Sequence, residues 1–567
     1  MKINNIKRII FLSLVILTIG CDDADFLDTP PETFLTVENV FTSGAQVDQI
    51  LITMYQQDRE LHSKVDAAWG RVMHGQGTDL ITVPTFRQNT NFSDYNSTFT
   101  PRADRLNTIY SELYQMISRA NLVLSLTERE DIAFESEAIR TYIIAQAKFF
   151  RAKAHGEAAQ FFGRVAIEDE PTTQVRFDYE QSERAEIYQF AIDDLESILN
   201  DLPVTTTEPG RVVRGVAQHY LSEFYLGVGV ENNDNSAYDQ AIKYASDIID
   251  GGTYSLMQGR FGSRASEPGK NVYWDLFRLG NQNYADGNTE SIWVYQYNYE
   301  AFKGGDDARL RYPYYFSPVW RAIPGVVGEN EYTGGRGIAI FRPTDLMENI
   351  IWEPSISDGD IRGDESNIRR TVFYNNDNYP EDHPTIAPGS LVGQVVPADS
   401  LIVANAGLAD GAYFPIFEKL TTDQFEGVED GRRMEDLWRG RYAVRLPSTI
   451  LLRAEAYLRK GDNQSAADDI NMIRERSQCN VLATAGMVDI DFILDERARE
   501  LYVEENRWAT LLRMGGNVAS DRIRRYARYD YQVNSLTFDF NTFPIPQTVI
   551  DRNKDVVWEQ NPGWENR

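Results

Sequence analysis

The sequence is poor in the residues that most often build covalent cross-links and metal sites. It contains only two cysteines, Cys21 and Cys479, and five histidines among 567 residues. Two cysteines are too few for a disulfide framework, and neither they nor the histidines show the spacing of a zinc site. Nucleophile elbows and phosphate-binding glycine motifs are also missing from the sequence. We therefore expect no metal and no cofactor, and we do not expect an enzyme.

Positive charge is also scarce. The chain has 56 basic and 85 acidic residues, for a formal net charge of -29. A surface of this sign repels phosphate backbones and anionic headgroups, so we expect no nucleic-acid partner. The same charge favours a neutral ligand over a polyanionic one, although a local basic patch such as Arg309, Arg311 and Arg321 could override the mean field.

Long apolar runs are confined to the start of the chain. Residues 9–19 are apolar except for one Ser and one Thr, and Lys2, Lys7 and Arg8 precede them. As a helix this run spans roughly 16 Å, about half of a bilayer core, which is typical of a secretion signal. The segment LTIGC resembles a lipobox, although Thr18 stands where Leu is usual. We predict a signal peptide over 1–20, lipidation at Cys21 and an acidic, Pro-containing tether over 21–35.

Helical periodicity dominates the remainder. Over 446–477, apolar residues recur at helical spacing on both sides of Gly461, which predicts a helix, a turn and a second helix. Neither helix can bury its apolar stripe alone, as in tetratricopeptide-like hairpins. The fold class we predict is mostly α, with a helical-hairpin scaffold over 36–252 and 442–567. Six earlier helices are predicted at 47–55, 106–127, 137–162, 183–199, 213–228 and 238–249.

An irregular insertion over 253–441 separates the two helical parts. Residues 272–321 include fourteen aromatic side chains, or 28% against 12% for the chain. Alternation over 291–298 predicts a strand, while Pro and Gly break regular structure around it. We assign Trp274, Phe277 and Trp293 to the core. Exposed loops rich in Tyr and Trp suit ligand contact, and packing in the core is the alternative for each single aromatic residue.

Several motifs together resemble the SusD/RagB family of outer-membrane nutrient-binding lipoproteins. They include the opening CDDADFLDTPPETF, the helix AQAKFFRAKAHGEAAQFFG, the helix DERARELYVEENRW over 495–508, and the ending FPIPQTVIDRNKDVVWEQNPGW. The chain departs from the family pattern at Thr510, where Asp is common, and at Trp564, where Tyr is common. The resemblance runs nearly from end to end.

The resemblance implies a lipid-anchored protein on the outside of the outer membrane. Such a protein captures glycans and caps a SusC-like TonB-dependent transporter as its lid. It also implies that Glu496, Arg497, Glu500, Glu504 and Arg507 are structural partners that fix helix packing. Three alternatives stay open: a peptide-binding member of the family, an enzyme acting on released glycans, and a helical-repeat adaptor that binds only proteins.

Candidate ligand contacts fall in two regions, because sugars stack on aromatic rings while polar side chains bind their hydroxyls. A further acidic loop, over 358–367, faintly resembles a calcium site. Arg362 occupies a ligand position in that loop, and we predict that the loop is solvated. The candidate contacts are Asp79, Arg87, Asn89, Phe92 and Tyr95 in the first region, and Tyr299, Tyr314, Tyr315 and Trp320 in the insertion.

Overall fold

The computed structural model describes residues 40–90, 92–172, 174–303, 309–565 and 567. The chain is mostly helical within these ranges, and the predicted fold class is confirmed. The first helical part comprises α1 Gly44–Ser63, α2 Ala68–Met73, α3 Asp104–Thr127, α4 Glu137–Phe162, α5 Arg184–Ile198, α6 Arg214–Asn232 and α7 Asn235–Ile249. The insertion holds α8 Val272–Asp275, α9 Tyr299–Lys303, α10 Tyr312–Phe316, α11 Asp345–Glu348, α12 Pro354–Ser357 and α13 Ala398–Gly407. The last part comprises α14 Leu446–Arg459, α15 Asn463–Arg476, α16 Ile490–Leu501, α17 Arg507–Arg513, α18 Val518–Tyr526, α19 Asp530–Ser535 and α20 Gln547–Arg552.

The helices of the scaffold pack in series. Helix α3 packs on α4, α4 on α5, α5 on α6 and α6 on α7. Helix α7 then packs directly on α14, although residues 250–445 separate them in the chain, and α14 packs on α15. The helical array is therefore continuous, and the insertion leaves and rejoins it at one point.

Helix α4 lies at the centre of this array, and its bounds agree with the predicted 137–162. The Ser136 hydroxyl accepts a hydrogen bond from the Ile139 amide at its N-terminus. From Ala145 onward almost every residue is buried, whatever its face. Gly156 permits close packing there, because a Cβ at this position would lie 2.1 Å from the Phe224 ring of α6.

The predicted helix over 495–508 is wrong in its second half. Helix α16 ends at Leu501, and α17 begins only at Arg507. Between them Val503 has a φ of 64°, which an α-helix cannot contain. The Asn506 side chain accepts a hydrogen bond from the Ala509 amide and so caps the start of α17. This break turns the Glu504 carboxylate back toward Arg445 and Lys419.

A network of buried ion pairs joins the insertion to the C-terminal helices. Glu500 of α16 accepts hydrogen bonds from Arg362, Arg445 and Arg476, and all four side chains are fully or almost fully buried. The neighbouring Glu496 accepts from Arg362 and from two further arginines of α15 and α16. The predicted structural role of Glu496 and Glu500 is confirmed.

The same network corrects the expectation for the acidic loop over 358–367. Arg362 is 1% exposed, and Asp360, which pairs with it at 2.7 Å, is 4% exposed. This part of the loop is buried because its charges complete the network around Glu496 and Glu500.

The strand predicted over 291–298 is confirmed, although it ends at Tyr295. It is β2 Ser291–Tyr295, which pairs antiparallel with a strand that leads into α14. Both faces of β2 are buried, and Trp274, Phe277 and Trp293 lie in the core as expected. The six strands of the described residues form three antiparallel, two-stranded sheets. The strands are β1 Ile81–Thr82, β2 Ser291–Tyr295, β3 Arg342–Pro343, β4 Ile368–Arg369, β5 Ile416–Phe417 and β6 Arg441–Arg445.

Within the described ranges, every helix is too short or too polar to cross a bilayer.

Candidate functional site

Arg87 from the first candidate region lies within electrostatic range of Tyr314 and Arg321 of the insertion. Arg87 belongs to the 3-10 helix Thr85–Thr90, and its guanidinium lies 4.8 Å from the centroid of the Phe86 ring. Partial burial lowers the pKa of Arg87; the Tyr314 hydroxyl opposes this shift and the like charge of Arg321 adds to it. The tertiary structure thus joins two regions that are more than 200 residues apart in the sequence.

Two further guanidiniums surround the partly exposed Tyr314 ring. Those of Arg311 and Arg336 lie 4.4 and 5.0 Å from the ring centroid. One carboxylate, Glu435, accepts hydrogen bonds from both. We call this basic surface the arginine face. It comprises Arg311 and Arg336 over the Tyr314 ring, Arg309, which shares the Asp436 carboxylate with Arg311, and Arg87 and Arg321, whose charges interact.

A second aromatic surface lies on the same insertion. The rings of Tyr374 and Tyr379 are stacked, with centroids 5.5 Å apart and planes at 18°. Tyr332 is 38% exposed, and its ring meets Phe373 edge to face at 5.8 Å. We call these four residues, Tyr332, Phe373, Tyr374 and Tyr379, the aromatic platform.

The backbone around the aromatic platform is held by hydrogen bonds. The Asn375 side chain accepts from the Val327 amide at 2.6 Å and donates to the Val327 carbonyl at 3.0 Å. Gly325 lies under both stacked rings at a φ of 78°, and a Cβ there would come within 2.5 Å of Tyr374 and of Tyr379. The site is therefore held in place before any ligand arrives.

Three candidate residues of the first region are buried. The Asp79 carboxylate pairs with Arg507 at 2.7 Å and with Arg522 at 3.0 Å. Burial by itself raises the pKa of Asp79, but the two guanidiniums lower it below its usual value. Phe92 packs on Phe99, and the Tyr95 hydroxyl donates to the Gly77 carbonyl. These side chains do not reach the surface, and we leave them out of the site proposed below.

The exposure expected of three insertion rings is also wrong. Tyr299, Tyr315 and Trp320 are only 5%, 7% and 4% exposed. Tyr299 donates to Asp430, and Tyr315 belongs to a core cluster. Trp320 lies in the apolar cluster on which Tyr374 packs, so it supports the aromatic platform from beneath. Burial follows because the short helices of the insertion form small cores of their own.

Two predicted positions are not described in full by the structure. Asn89 lies in the 3-10 helix Thr85–Thr90, but its side chain is not among those described. Cys21, the predicted lipidation site, lies before residue 40. Both assignments stay predictions.

One group of side chains has the composition of a metal site. Atoms of Asp58, His62 and Glu157 lie within 4.8 Å of one another. The ammonium of Lys153, however, lies 2.7 Å from both carboxylates. The position of a cation is thus taken by a lysine, and the cluster is explained as an internal ion pair.

A cavity of about 410 Å³ lies on the scaffold, between α3 and the C-terminal segment. Its wall is largely apolar, and both asparagine side chains in the wall already have protein partners. Asn121 donates to the carbonyls of Glu168 and Glu170, and Asn553 donates to that of Tyr179. Sugar hydroxyls would find few free partners there, so the insertion surface suits a saccharide better.

Sequence reasoning missed the aromatic platform. The segment 373–380 reads FYNNDNYP and combines aromatic rings with amide side chains and a proline. That composition is the one sought in the two candidate regions. The segment lies outside the aromatic-rich stretch 272–321. A count of aromatic and amide residues over shorter stretches of the sequence identifies it.

Comparison with known proteins places the chain in a family. A family model described as the SusD family matches residues 415–564, and one described as starch-binding associating with outer membrane matches residues 25–226. The chain belongs to the SusD/RagB family.

Curated relatives are distant. The starch-binding protein SusD of Bacteroides thetaiotaomicron is 21% identical over 487 residues, which cover 82% of this chain and 80% of that protein. A SusD-like protein of Bacteroides ovatus is 26% identical over 300 residues. That match covers 51% of this chain and 50% of the relative, so this chain spans about half the length of that protein.

Solved structures of the SusD superfamily share the fold. A SusD homologue from Bacteroides thetaiotaomicron superimposes with a TM-score of 0.68 at 19% identity, over 94% of this chain and all of that one. Surface glycan-binding protein A of the same organism, solved with laminarihexaose, gives 0.62 at 19% identity, over 92% of this chain and 100% of that one. These likenesses establish the SusD fold for this chain.

Proposed function

We propose that this protein is a non-catalytic, lipid-anchored glycan-binding protein of the outer membrane. It binds oligosaccharides or polysaccharides on the exposed surface of its insertion and delivers them to a SusC-like TonB-dependent transporter, which it caps as a lid. The observation that carries the proposal is the stacked, partly exposed pair Tyr374 and Tyr379 beside the fixed Asn375 loop.

The chemistry of the surface supports a saccharide ligand. Partly exposed rings offer flat apolar faces against which a pyranose ring can stack. Asn376 is partly exposed and Asn378 exposed on the same loop, and their amides can bind hydroxyl groups. The surface is open, so affinity comes from several modest contacts along a chain.

The names of the relatives support the same ligand class. SusD of Bacteroides thetaiotaomicron is named a starch-binding protein, and one structural neighbour is named a laminarin-binding SusD-like protein. One matching family is described as associating with the outer membrane. We extend glycan binding and outer-membrane location to this chain on the basis of family membership.

Anchoring and assembly rest on the N-terminal sequence and the family. Acylation at Cys21 after removal of residues 1–20 would hold the protein on the membrane through the tether 21–35. Residues 253–441 would then present the ligand surface, and 36–252 with 442–567 would form the scaffold. Labelled palmitate should enter the wild type and not Cys21→Ser, and affinity purification should recover a transporter of the SusC class.

Binding is tested by affinity electrophoresis of the protein through gels that contain single polysaccharides. The wild type should be retarded by at least one polysaccharide, and the double variant Tyr374→Ala, Tyr379→Ala should migrate freely in it. Phe177→Ala is the matched control, because Phe177 is an exposed aromatic residue of the scaffold. Equal retardation of the double variant and the wild type would refute the assigned surface. Release of reducing sugar by the purified protein would refute the non-catalytic assignment.

A further inference from the structure

The arginine face stands out because the chain as a whole is strongly acidic. The net charge is -29, yet the arginine face holds five arginines, two of them over the Tyr314 ring. Glu435 pairs with Arg311 and Arg336, and Asp436 pairs with Arg309 and Arg311, so two carboxylates serve three guanidiniums of the face. Arg321 is exposed, and no carboxylate of the described residues forms an ion pair with it.

Other elements place rings beside these charges. Phe86 and Ala322, the neighbour of Arg321, pack against the same apolar cluster, and the Arg87 guanidinium lies over the Phe86 ring. Tyr314 lies beneath the guanidiniums of Arg311 and Arg336. The face thus combines aromatic rings with guanidinium groups, which are forked hydrogen-bond donors.

This combination fits a sugar that carries an anionic group. A guanidinium binds a carboxylate or a sulfate through two parallel hydrogen bonds, which a neutral hydroxyl cannot accept. An aromatic ring beside it can stack against the ring of the same sugar. We propose that the arginine face binds the oxyanion of an acidic saccharide, either a uronate carboxylate or a sulfate ester.

The overall charge does not oppose this at short range. At physiological ionic strength the screening length is about 8 Å, so distant acidic residues contribute little at the arginine face. A paired guanidinium in contact with the ligand acts within about 3 Å. The local arrangement therefore outweighs the mean charge, which by itself favours a neutral ligand.

The inference rests on the proposed function, and its test uses pairs of glycans that differ only in charge. Polygalacturonate is compared with its methyl ester, and a sulfated galactan with its desulfated form, by isothermal titration calorimetry. We expect the charged member of at least one pair to bind about tenfold more tightly. A difference within the polygalacturonate pair indicates that the face binds a carboxylate, and a difference within the galactan pair indicates a sulfate. Raising the salt concentration should weaken that binding more than binding of the uncharged member.

Variants locate the effect. Arg321→Gln should lose most of the preference for the charged member while it keeps binding of the uncharged one, and Arg321→Lys should restore part of the preference. Arg102→Gln is the matched control, because Arg102 is an exposed arginine outside the arginine face. It should behave as the wild type.

Two outcomes contradict the inference, and they differ in what they leave standing. If charged and uncharged glycans bind equally, or if Arg321→Gln keeps the full preference, the arginine face does not bind an oxyanion, while glycan binding stands. If no glycan of either kind binds, the proposed function fails and the inference fails with it.

Discussion

Arginines of this protein lie in two contrasting environments. Around α16, Arg362, Arg445 and Arg476 are almost completely buried, and the carboxylates of Glu496, Glu500 and Glu290 compensate their charges. On the arginine face, Arg321 is exposed and forms no ion pair with a described carboxylate, while Glu435 and Asp436 are shared among the other guanidiniums. The same residue type is a structural cross-link in the first environment and a candidate ligand contact in the second.

The difference follows from the cost of removing charge from water. A buried guanidinium without a partner costs several kcal/mol, so the arginines around α16 are buried where carboxylates meet them, and Arg439 is buried where backbone carbonyls accept its hydrogen bonds. An exposed guanidinium keeps its water, and the fold does not require a partner for it. An uncompensated arginine at the surface is therefore available to a ligand, whereas a buried, paired one serves the fold.

The largest expected effect comes from breaking the buried network. Glu500→Ala leaves three buried guanidiniums without their common acceptor, and we expect a loss of about 3–5 kcal/mol in the free energy of unfolding. Urea denaturation followed by circular dichroism measures this. Glu300→Gln removes an exposed ion pair with Lys303 and should change stability by less than about 1 kcal/mol. Similar losses in the two variants would contradict the contrast.

Acid should weaken the same network. Burial alone would raise the pKa of Glu496, but Arg362, Arg474 and Arg499 lower it to about 2. The ordinary value is near 4.5, so Glu496 stabilises the folded state fully above about pH 5 and loses this contribution as pH falls toward 2. The contribution amounts to about 3 kcal/mol. The free energy of unfolding should fall less steeply below pH 5 in Glu496→Gln than in the wild type, and parallel curves would contradict this.

Asp79 tests the assignment of a residue to one of the two environments. Sequence reasoning placed it in the ligand site, whereas the structure buries it between Arg507 and Arg522. Asp79→Asn weakens buried pairs with Arg507 and Arg522, and we expect a loss of about 2–3 kcal/mol in stability. Glycan affinity of the folded variant should stay that of the wild type. A variant of normal stability that has lost glycan binding would return Asp79 to the ligand site.

The smallest effect is expected at the aromatic platform. Tyr374→Ala should lower glycan affinity about tenfold, equivalent to about 1.4 kcal/mol, because it removes one stacking surface. Gly325→Ala should act similarly by displacing both tyrosine rings. Calorimetric titration with a polysaccharide that retards the wild type checks both. Phe177 lines the scaffold cavity, so a loss that Phe177→Ala reproduces would mean that binding is not specific to the aromatic platform.

The sequence by itself determined the helical scaffold. Hydrophobic periodicity depends only on local spacing, so it located six helices and the hairpin around Gly461, and the bounds of α4 were predicted to the residue. Family motifs likewise identified Glu496 and Glu500 as structural. The end of α16 was missed, because the break at Val503 serves contacts of Glu504 with Arg445 and Lys419, which are distant in the sequence.

Only the tertiary structure decided which polar and aromatic residues reach the surface. Composition marked 272–321 as rich in rings, but it could not tell Trp320, which packs inward, from Tyr314, which remains partly exposed. It also could not show that Arg87 lies within electrostatic range of Tyr314. Nor could it show that Arg362 forms ion pairs with glutamates, whereas Arg321 forms none with the described carboxylates. Burial and charge compensation depend on neighbours brought together by folding, and local sequence patterns do not contain that information.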